Sequence, residues 1–440
     1  MMRLNRYTRT SRHSGQSALA IVATLTLAVT PALAASDPSP ETAAAIAEIQ
    51  TLRAEQQRIA ELQQQVAARL QALEAALHVA PSPSAQPVTP ATPASAVAAT
   101  AAAAKPRLAV SGDLRIRSQG DYASDTPDHL SGQVRGRLGV TYTANDVVSI
   151  GARLVTGNPD DPNSTDVQLS NFDDDFDVSL DQAYVQFNLG DLKLYGGKMP
   201  QPFVRTELVW DGDVNPQGVS AVYRHALSDG SAFRANGLFF IIDERAVAAD
   251  STMLGAQFGY DTRTLGKWKL DASVAYYDYK LGSVAGADSG DLRSNLLNPD
   301  GTYRSDFELG DVIIGATWNG AGERWPLRIV GDFVRNFGAA TDADTGYGAD
   351  FTIGRASKVH DWRVTYGYSI AETDAVLAAF SHDNIALGTN YRLHALTLDY
   401  VPFPKTMLSA IWYHYQPYES TPTLGKDWIE RLRLAFAVSF

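Results

Sequence analysis

The sequence predicts an all-β transmembrane fold: an antiparallel barrel of about sixteen strands, preceded by a signal peptide, a short coiled-coil helix and a Pro/Ala-rich linker. Three observations carry this. Beyond the first forty residues no run approaches the ~18 consecutive apolar residues of a membrane helix, and mean hydropathy is -0.16. From Arg107 onward, short stretches alternate apolar and polar side chains between Gly, Asn and Asp, with no helix-period segment. The connections between those stretches also alternate, short then long, as they do when one rim of a membrane barrel carries tight turns and the other carries loops.

The N-terminus is read first. Arg3, Arg6, Arg9 and Arg12 precede an apolar run from Ala18 to Val29, then Pro31 and the small-residue pattern Ala32-Leu33-Ala34. This is a secretory signal over residues 1–34, removed before folding. Residues 35–79 follow as a helix. Ile46, Ile49, Ile59, Leu62, Val66, Leu73 and Leu77 recur at spacings of three, four and seven, with Gln56 and Arg69 interrupting the seam. A self-associating coiled coil in the periplasm is expected, and a solitary solvated helix is the alternative. Residues 80–106 are rich in Pro and Ala and form an extended linker.

The barrel occupies residues 107–440. Short connections at Asn145-Asp146, Leu189-Gly190, Asp229-Gly230, Thr262 to Gly266 and Pro402 to Lys405 interleave with long ones at Gly157 to Asp177, Met199 to Gln217, Leu281 to Asp306 and Ala371 to Thr389. A soluble β-sandwich would not sort its loops by parity. The chain ends in a strand whose apolar face is Leu432, Leu434, Phe436, Val438 and Phe440. A terminal strand ending in Phe resembles the signal read by the barrel-assembly machinery, which singles out Phe440. Trp268, Tyr276, Trp318, Trp362, Tyr366, Trp412 and Trp428 lie towards strand ends, where interfacial girdles need them.

Composition excludes several function classes. With 37 Lys and Arg against 49 Asp and Glu, the net charge is -12, and loss of the signal arginines makes the mature chain more acidic still. That is no nucleic-acid binder. The absence of cysteine removes disulfides, thiolate metal sites and thiol nucleophiles. No cofactor or metal is expected, because the scattered histidines His360, His382, His394 and His414 show no ligand spacing. No Gly-x-Ser-x-Gly elbow occurs, and the Gly-Gly-Lys ending at Lys198 lacks P-loop spacing. The chain is therefore read as no enzyme. A barrel hydrolase using a lumen-edge Ser and His, or a tether linking outer membrane to periplasm, are the alternatives.

Five segments carry a family resemblance: Ser111-Gly112-Asp113-Leu114-Arg115-Ile116-Arg117, Leu154-Val155-Thr156-Gly157, Leu180-Asp181-Gln182-Ala183-Tyr184-Val185, Gly196-Gly197-Lys198-Met199-Pro200-Gln201-Pro202-Phe203, and Glu207-Leu208-Val209-Trp210-Asp211-Gly212-Asp213-Val214-Asn215-Pro216-Gln217-Gly218. On these the chain resembles the putative-porin family of Gram-negative outer membranes and, more distantly, phosphate-selective porins. The resemblance implies a trimeric diffusion channel seated in outer-membrane lipid and assigns no solute.

Selectivity must then come from the wall. If the apolar face of each strand meets lipid, Arg115, Arg117, Arg135, Arg137, Arg153, Arg224, Arg234, Arg328, Arg363, Arg392, Arg431 and Arg433 face the lumen with Lys193 and Lys269. In that register the lumen acids are only Asp113, Asp271, Asp311 and Asp332. A weak anion preference is expected. The competing reading is that the arginines pair with loop acids and brace the wall. The connection Met199 to Gln217, carrying Arg205, Glu207, Asp211 and Asp213, is expected to fold inward as a constriction loop. The acidic connection Asn158 to Asp177 is read as solvated acidity rather than a divalent-cation site, since it lacks EF-hand spacing. The N-terminal helix is expected to contact the cell wall or a like periplasmic partner.

Overall fold

The computed structural model describes residues 107–124, 126–158, 161–170, 172, 175–246, 249–282, 294–420 and 425–440. The signal, helix and linker assignments lie outside these residues.

Strands β1 (Leu108–Ala123), β2 (Thr126–Thr143) and β3 (Val148–Thr156) open the barrel, and a two-residue strand β4 (Val167–Gln168) follows. Next come β5 (Val178–Leu189), β6 (Leu192–Lys198), β7 (Gln217–Ala226), β8 (Ala232–Asp243), β9 (Ser251–Asp261) and β10 (Trp268–Lys280). The chain continues with β11 (Glu308–Trp318), β12 (Leu327–Asn336), β13 (Thr345–Gly354), β14 (Trp362–Ala371), β15 (Tyr391–Tyr400), β16 (Thr406–Pro417) and β17 (Ile429–Ser439). All pairings are antiparallel between sequence neighbours, except that β3 pairs with β5 and β4 lies on β2. β17 closes on β1 from Asp113↔Ser439 to Ala123↔Ile429. Setting β4 aside, sixteen staves form a closed barrel without edges, the arrangement that satisfies backbone polar groups in lipid.

The outward face is apolar. Leu114, Ile116, Leu254, Phe258, Ile314, Phe333, Leu398, Leu434 and Phe436 are all exposed on it. Trp268 and Trp318 pair at one rim, with ring centroids 6.3 Å apart, and Trp362 stacks on Tyr400 at 4.3 Å. At the closing seam the Phe440 amide donates to the Gly112 carbonyl at 3.0 Å. The Phe440 ring covers Gly112 so closely that a Cβ there would meet it at 2.5 Å.

Two differences from the sequence expectation are instructive. The segment around Gly120 to Ser131, rich in turn residues, is strand: β1 and β2 run up to a tight turn, with Asp121↔His129 and Ala123↔Thr126 still paired. The first connection on the loop rim is therefore short. More consequential, the lumen contains an apolar core. Two connections fold inward, residues 199–216 and 372–390, and the second carries a short 3-10 helix, Ala378–Phe380. Trp210 of the first is fully buried and stacks on Phe380 of the second, with centroids 5.8 Å apart and planes 15° apart. The Asp211 amide donates to the Phe380 carbonyl at 2.8 Å. Phe203, Phe240, Tyr277, Tyr279, Leu309 and Tyr391 complete the cluster from the loops and the inner wall.

Polar ties lock the inward loops to their neighbours. Asn295 Nδ2 donates to the Thr373 and Val376 carbonyls, its Oδ1 accepts from the Ala378 amide, and Ser305 Oγ donates to Asp374 at 2.6 Å. Asn163 Nδ2 donates to the Ser381 carbonyl at 2.8 Å, which brings in the connection after β3. Truncating Trp210 to Ala removes the centre of this core and should cost about 3 to 5 kcal/mol. The stave pairing is untouched by that change. The expected result is protease cleavage in residues 199–216 at lower denaturant than in the parent, with the β circular-dichroism signal retained; equal protection of the loop would contradict the clasp.

Candidate functional site

The basic residues of β1, β2, β3 and β17 form a ladder on one side of the lumen, and alternation puts them there. On β1 the exposed Leu114 and Ile116 face outward, so Arg115 and Arg117 face inward beside Arg135 and Arg137 of β2. Arg115 meets Asp166 through one guanidinium nitrogen at 2.7 Å to each oxygen, and Arg117 reaches the same carboxylate at 2.6 Å. Arg117 Nε also donates to Gln133. Asp113 accepts from Arg135 at 2.9 Å and from Arg137 at 2.7 Å, while Arg137 bonds Asp213 of the inward loop at 3.1 Å. Arg433 donates to Gln119 and to Asn384, and Arg431 pairs with Asp121.

Asp166 reaches the ladder because of β4. Val167 and Gln168 pair with Val134 and Gln133, and that brief ladder holds the preceding carboxylate opposite Arg115 and Arg117. Sequence reading had left Asp166 among solvated acids. The signal that could have found it is the β-branched Thr165 and Val167 flanking it, a strand fragment within an otherwise acidic connection. Thr165 Oγ1 in turn donates to Asp213 at 3.1 Å, joining this connection to residues 199–216.

Further round the wall the remaining arginines are also paired. Arg153 Nε donates to Asp181 at 2.6 Å; Arg224 and Arg234 share Asp261; Arg328 binds Asp271 at 2.8 Å and Arg363 binds Asp399 at 2.6 Å. Lys193 and Lys269 share the inward parity, since Lys193 pairs with Asn188 and Val222 and Lys269 follows the outward Trp268. The expected shortage of lumen acids is corrected: Asp121, Asp181, Asp261, Asp350 and Asp399 also face inward. Asp121 is drawn in because β1 continues to Ala123, and the register shift at Arg153 and Leu154 turns Asp181 inward.

Arg392 is the second correction, because it faces outward. It shares the parity of Leu396 and Leu398, while its neighbours Tyr391 and Leu393 belong to the lumen core. Its guanidinium lies 5.7 Å from the Tyr418 ring centroid. Nearby on the same outer face, His394, His414, Trp412 and Trp428 cluster, with His414 stacked on Trp428 at 3.9 Å.

The inward loop brings acids to the ladder. Arg205 pairs with Glu207 at 3.0 Å and donates to the Trp210 carbonyl, and Asp211 accepts from the Asp213 amide at 2.7 Å. A polar cavity of about 310 Å³ is bounded by the ladder arginines on one side and by Glu207, Asp211, Asp213 and Asp383 on the other. Burial, then the neighbouring Glu207 and Asp383 carboxylates, pushes the Asp211 carboxyl up to about 9. Among the described residues no group of three His, Cys, Asp or Glu is placed to hold a metal ion.

A closed barrel with an apolar outer face, a charged inner face and an inward third loop has the fold that outer-membrane porins share. The putative-porin family profile matches residues 122–299, less than half of the chain. No curated relative matches. Among solved structures, Pseudomonas putida OprB in its high-pH form is 10% identical with a TM-score of 0.52, covering 76% of this chain and 94% of that one; this is a likeness of fold. Salmonella typhi OmpF in complex with daunomycin is 10% identical at TM-score 0.46, over 76% and 97% of the two chains. A loop-deleted OmpT of Vibrio cholerae is 11% identical at TM-score 0.46, over 76% and 100%.

Two measurements probe this geometry. Asp166→Ala leaves the buried Arg117 and the half-buried Arg115 without their shared carboxylate and should destabilise the barrel by about 3 kcal/mol, read as a lower denaturation midpoint; Asp166→Asn should cost less, since it keeps a hydrogen-bond acceptor. For Asp211 the folded state keeps its proton to higher pH than the unfolded chain. The stability this adds is full below the ordinary value of 3.8 and is lost as pH rises to about 9. The denaturation midpoint should therefore fall less steeply with pH across that window in Asp211→Asn than in the parent. Identical slopes would remove the assignment.

Proposed function

We propose that the protein is a non-enzymatic diffusion channel of a Gram-negative outer membrane, passing small hydrophilic solutes and ions through a narrowed, charge-lined lumen. One observation carries the reading: the polar cavity at mid-lumen, where the arginine ladder faces the acids of the inward loop. Sixteen staves lie in the range that leaves an aqueous interior, whereas eight fill with side chains. Two inward loops here narrow that interior without lining it uniformly with apolar groups, because the core gathers on the β8–β11 side and beneath residues 372–390.

Ion selectivity should be weak. An excess of lumen cations in the sequence points to an anion preference, yet almost every wall arginine meets a carboxylate or amide, Arg115 and Arg117 sharing Asp166 and Arg224 and Arg234 sharing Asp261. A neutralised ladder orders the constriction and orients dipolar solutes more than it concentrates one sign of ion. Homotrimeric assembly, contact with the assembly machinery through the β17 end at Phe440, and a periplasmic role for the heptad-patterned residues 35–79 belong to the same proposal. The trimer is supported by the family resemblance, and the other two by the sequence pattern.

In planar bilayers the protein should give discrete KCl conductance steps. Its reversal potential in a tenfold salt gradient should lie well below the ~59 mV of an ideally selective pore. Above about pH 9 the newly charged Asp211 should move that potential towards cations, and Asp211→Asn should abolish the shift. Liposomes that neither conduct nor swell in small sugars would overturn the channel.

A further inference from the structure

The acids of the opposite wall are not neutralised as the ladder is. Asp311 on β11, Asp332 on β12 and Asp350 on β13 face inward, and among the described residues no Lys, Arg or His makes an ion pair with any of them. Asp332 is 6% exposed; its Oδ2 accepts from Thr206 of the inward loop, while its Oδ1 has no donor. Asp311 is equally buried and likewise has one oxygen without a donor, against the Asp332 carboxyl. Two carboxyl groups in contact require a proton or a cation between them. Among the described residues the Asp350 side chain makes no hydrogen bond or ion pair, and it stays free towards the lumen. Gly367 gives it room: a Cβ there would lie 2.5 Å from Asp350 Oδ1.

Asp332 and Asp350 open on a cavity of about 190 Å³ between the inward loop and strands β12 to β16. Its remaining surface mixes hydroxyls, Thr365 and Thr397 among them, with the aliphatic side chains Leu208, Val330 and Leu393. This chemistry selects one class of guest. A bare divalent ion needs several oxygens converging on a single point, and among the described residues no such group exists. A negatively charged wall beside hydroxyl acceptors and a short apolar surface instead suits a primary ammonium carrying a small alkyl group.

We infer that this carboxylate-lined cavity is a binding subsite for the ammonium group of small amine-bearing solutes, lying across the inward loop from the arginine ladder; the inference rests on the channel reading above. The ammonium donates to Asp350 and Asp332, and the alkyl stem lies against Leu208 and Leu393. A solute carrying both an ammonium and an anionic group would then find one charge complement on each side of the loop.

The test uses the full chain in planar bilayers, with KCl current recorded while n-butylammonium chloride is added. Partial block is expected. In Asp350→Asn the half-blocking concentration should rise at least about tenfold, as loss of a charged partner predicts, with the KCl steps preserved. Gly367→Ala, which displaces the Asp350 carboxylate, should weaken block in the same direction. Asp229→Asn, in the exposed turn after β7, should leave block unchanged. Equal block in parent and Asp350→Asn, equal block by n-butanol, or no block at all would overturn the subsite. If the parent carries no KCl current, the channel reading fails by itself and calorimetry decides the subsite. Binding of n-butylammonium to the detergent-solubilised chain that is lost in Asp350→Asn would uphold the cavity, and no binding would overturn it.

Discussion

Everything inside the barrel hangs on the aromatic clasp between Trp210 and Phe380. A loop entering an aqueous lumen gives up solvent around its backbone and orders its chain, and only burial of large side chains offsets that cost. Here the two loops bury each other. Trp210 and Phe380 stack on each other, and together they seat against Tyr277, Tyr279 and Phe240 of the wall. The clasp fixes the backbone at Asp211, and from it Asp213 meets the ladder while Thr206 meets Asp332. Apolar packing thus sets the position of the charges that the first inward loop contributes to the constriction.

The charges divide into two regimes. On β1, β2 and β17 each guanidinium is met by a carboxylate or a side-chain amide, so that side is rigid and its positive charge is largely offset. Buried pairs of this kind contribute less to stability than to fixing one arrangement, while loss of a single partner is costly. On β11 to β13 the inward acids Asp311, Asp332 and Asp350 make no ion pair with a cation among the described residues. A solute passing the loop therefore meets an ordered dipolar surface on one side and uncompensated acceptors on the other.

Much of the architecture was legible in sequence. Alternation in β9 to β12 and in β17 fixed which side chains meet lipid, and the parity of loop lengths fixed the rims. The failure on β15 has a plain physical cause. The rule that apolar means lipid-facing assumes a polar lumen, and near the loop rim the lumen is apolar. On β15 this puts Tyr391 and Leu393 inside and Arg392 outside, then returns to the ordinary pattern beyond Ala395. Asp166 escaped for a different reason: its place depends on a two-residue pairing too short to leave a periodic signal. The neutralisation of the ladder escaped as well, because it depends on loops whose inward fold is a long-range packing event.

The seam between β1 and β17 has a consequence for how the protein acquires its shape. Its contacts, such as Asp113 with Ser439, join residues from opposite ends of the barrel sequence, so the last stave formed is also the most distant in the chain. Loop-closure entropy grows only as the logarithm of separation, and the penalty falls on rate more than on final stability. Until that pairing forms, β1 and β17 both present open edges that can capture another chain. Arg431 and Arg433 travel on the same stave, and through Asn384 they brace the second inward loop. Sealing the cylinder and finishing its interior are therefore one kinetic event, and a barrel arrested before it is at once aggregation-prone and without a completed lumen.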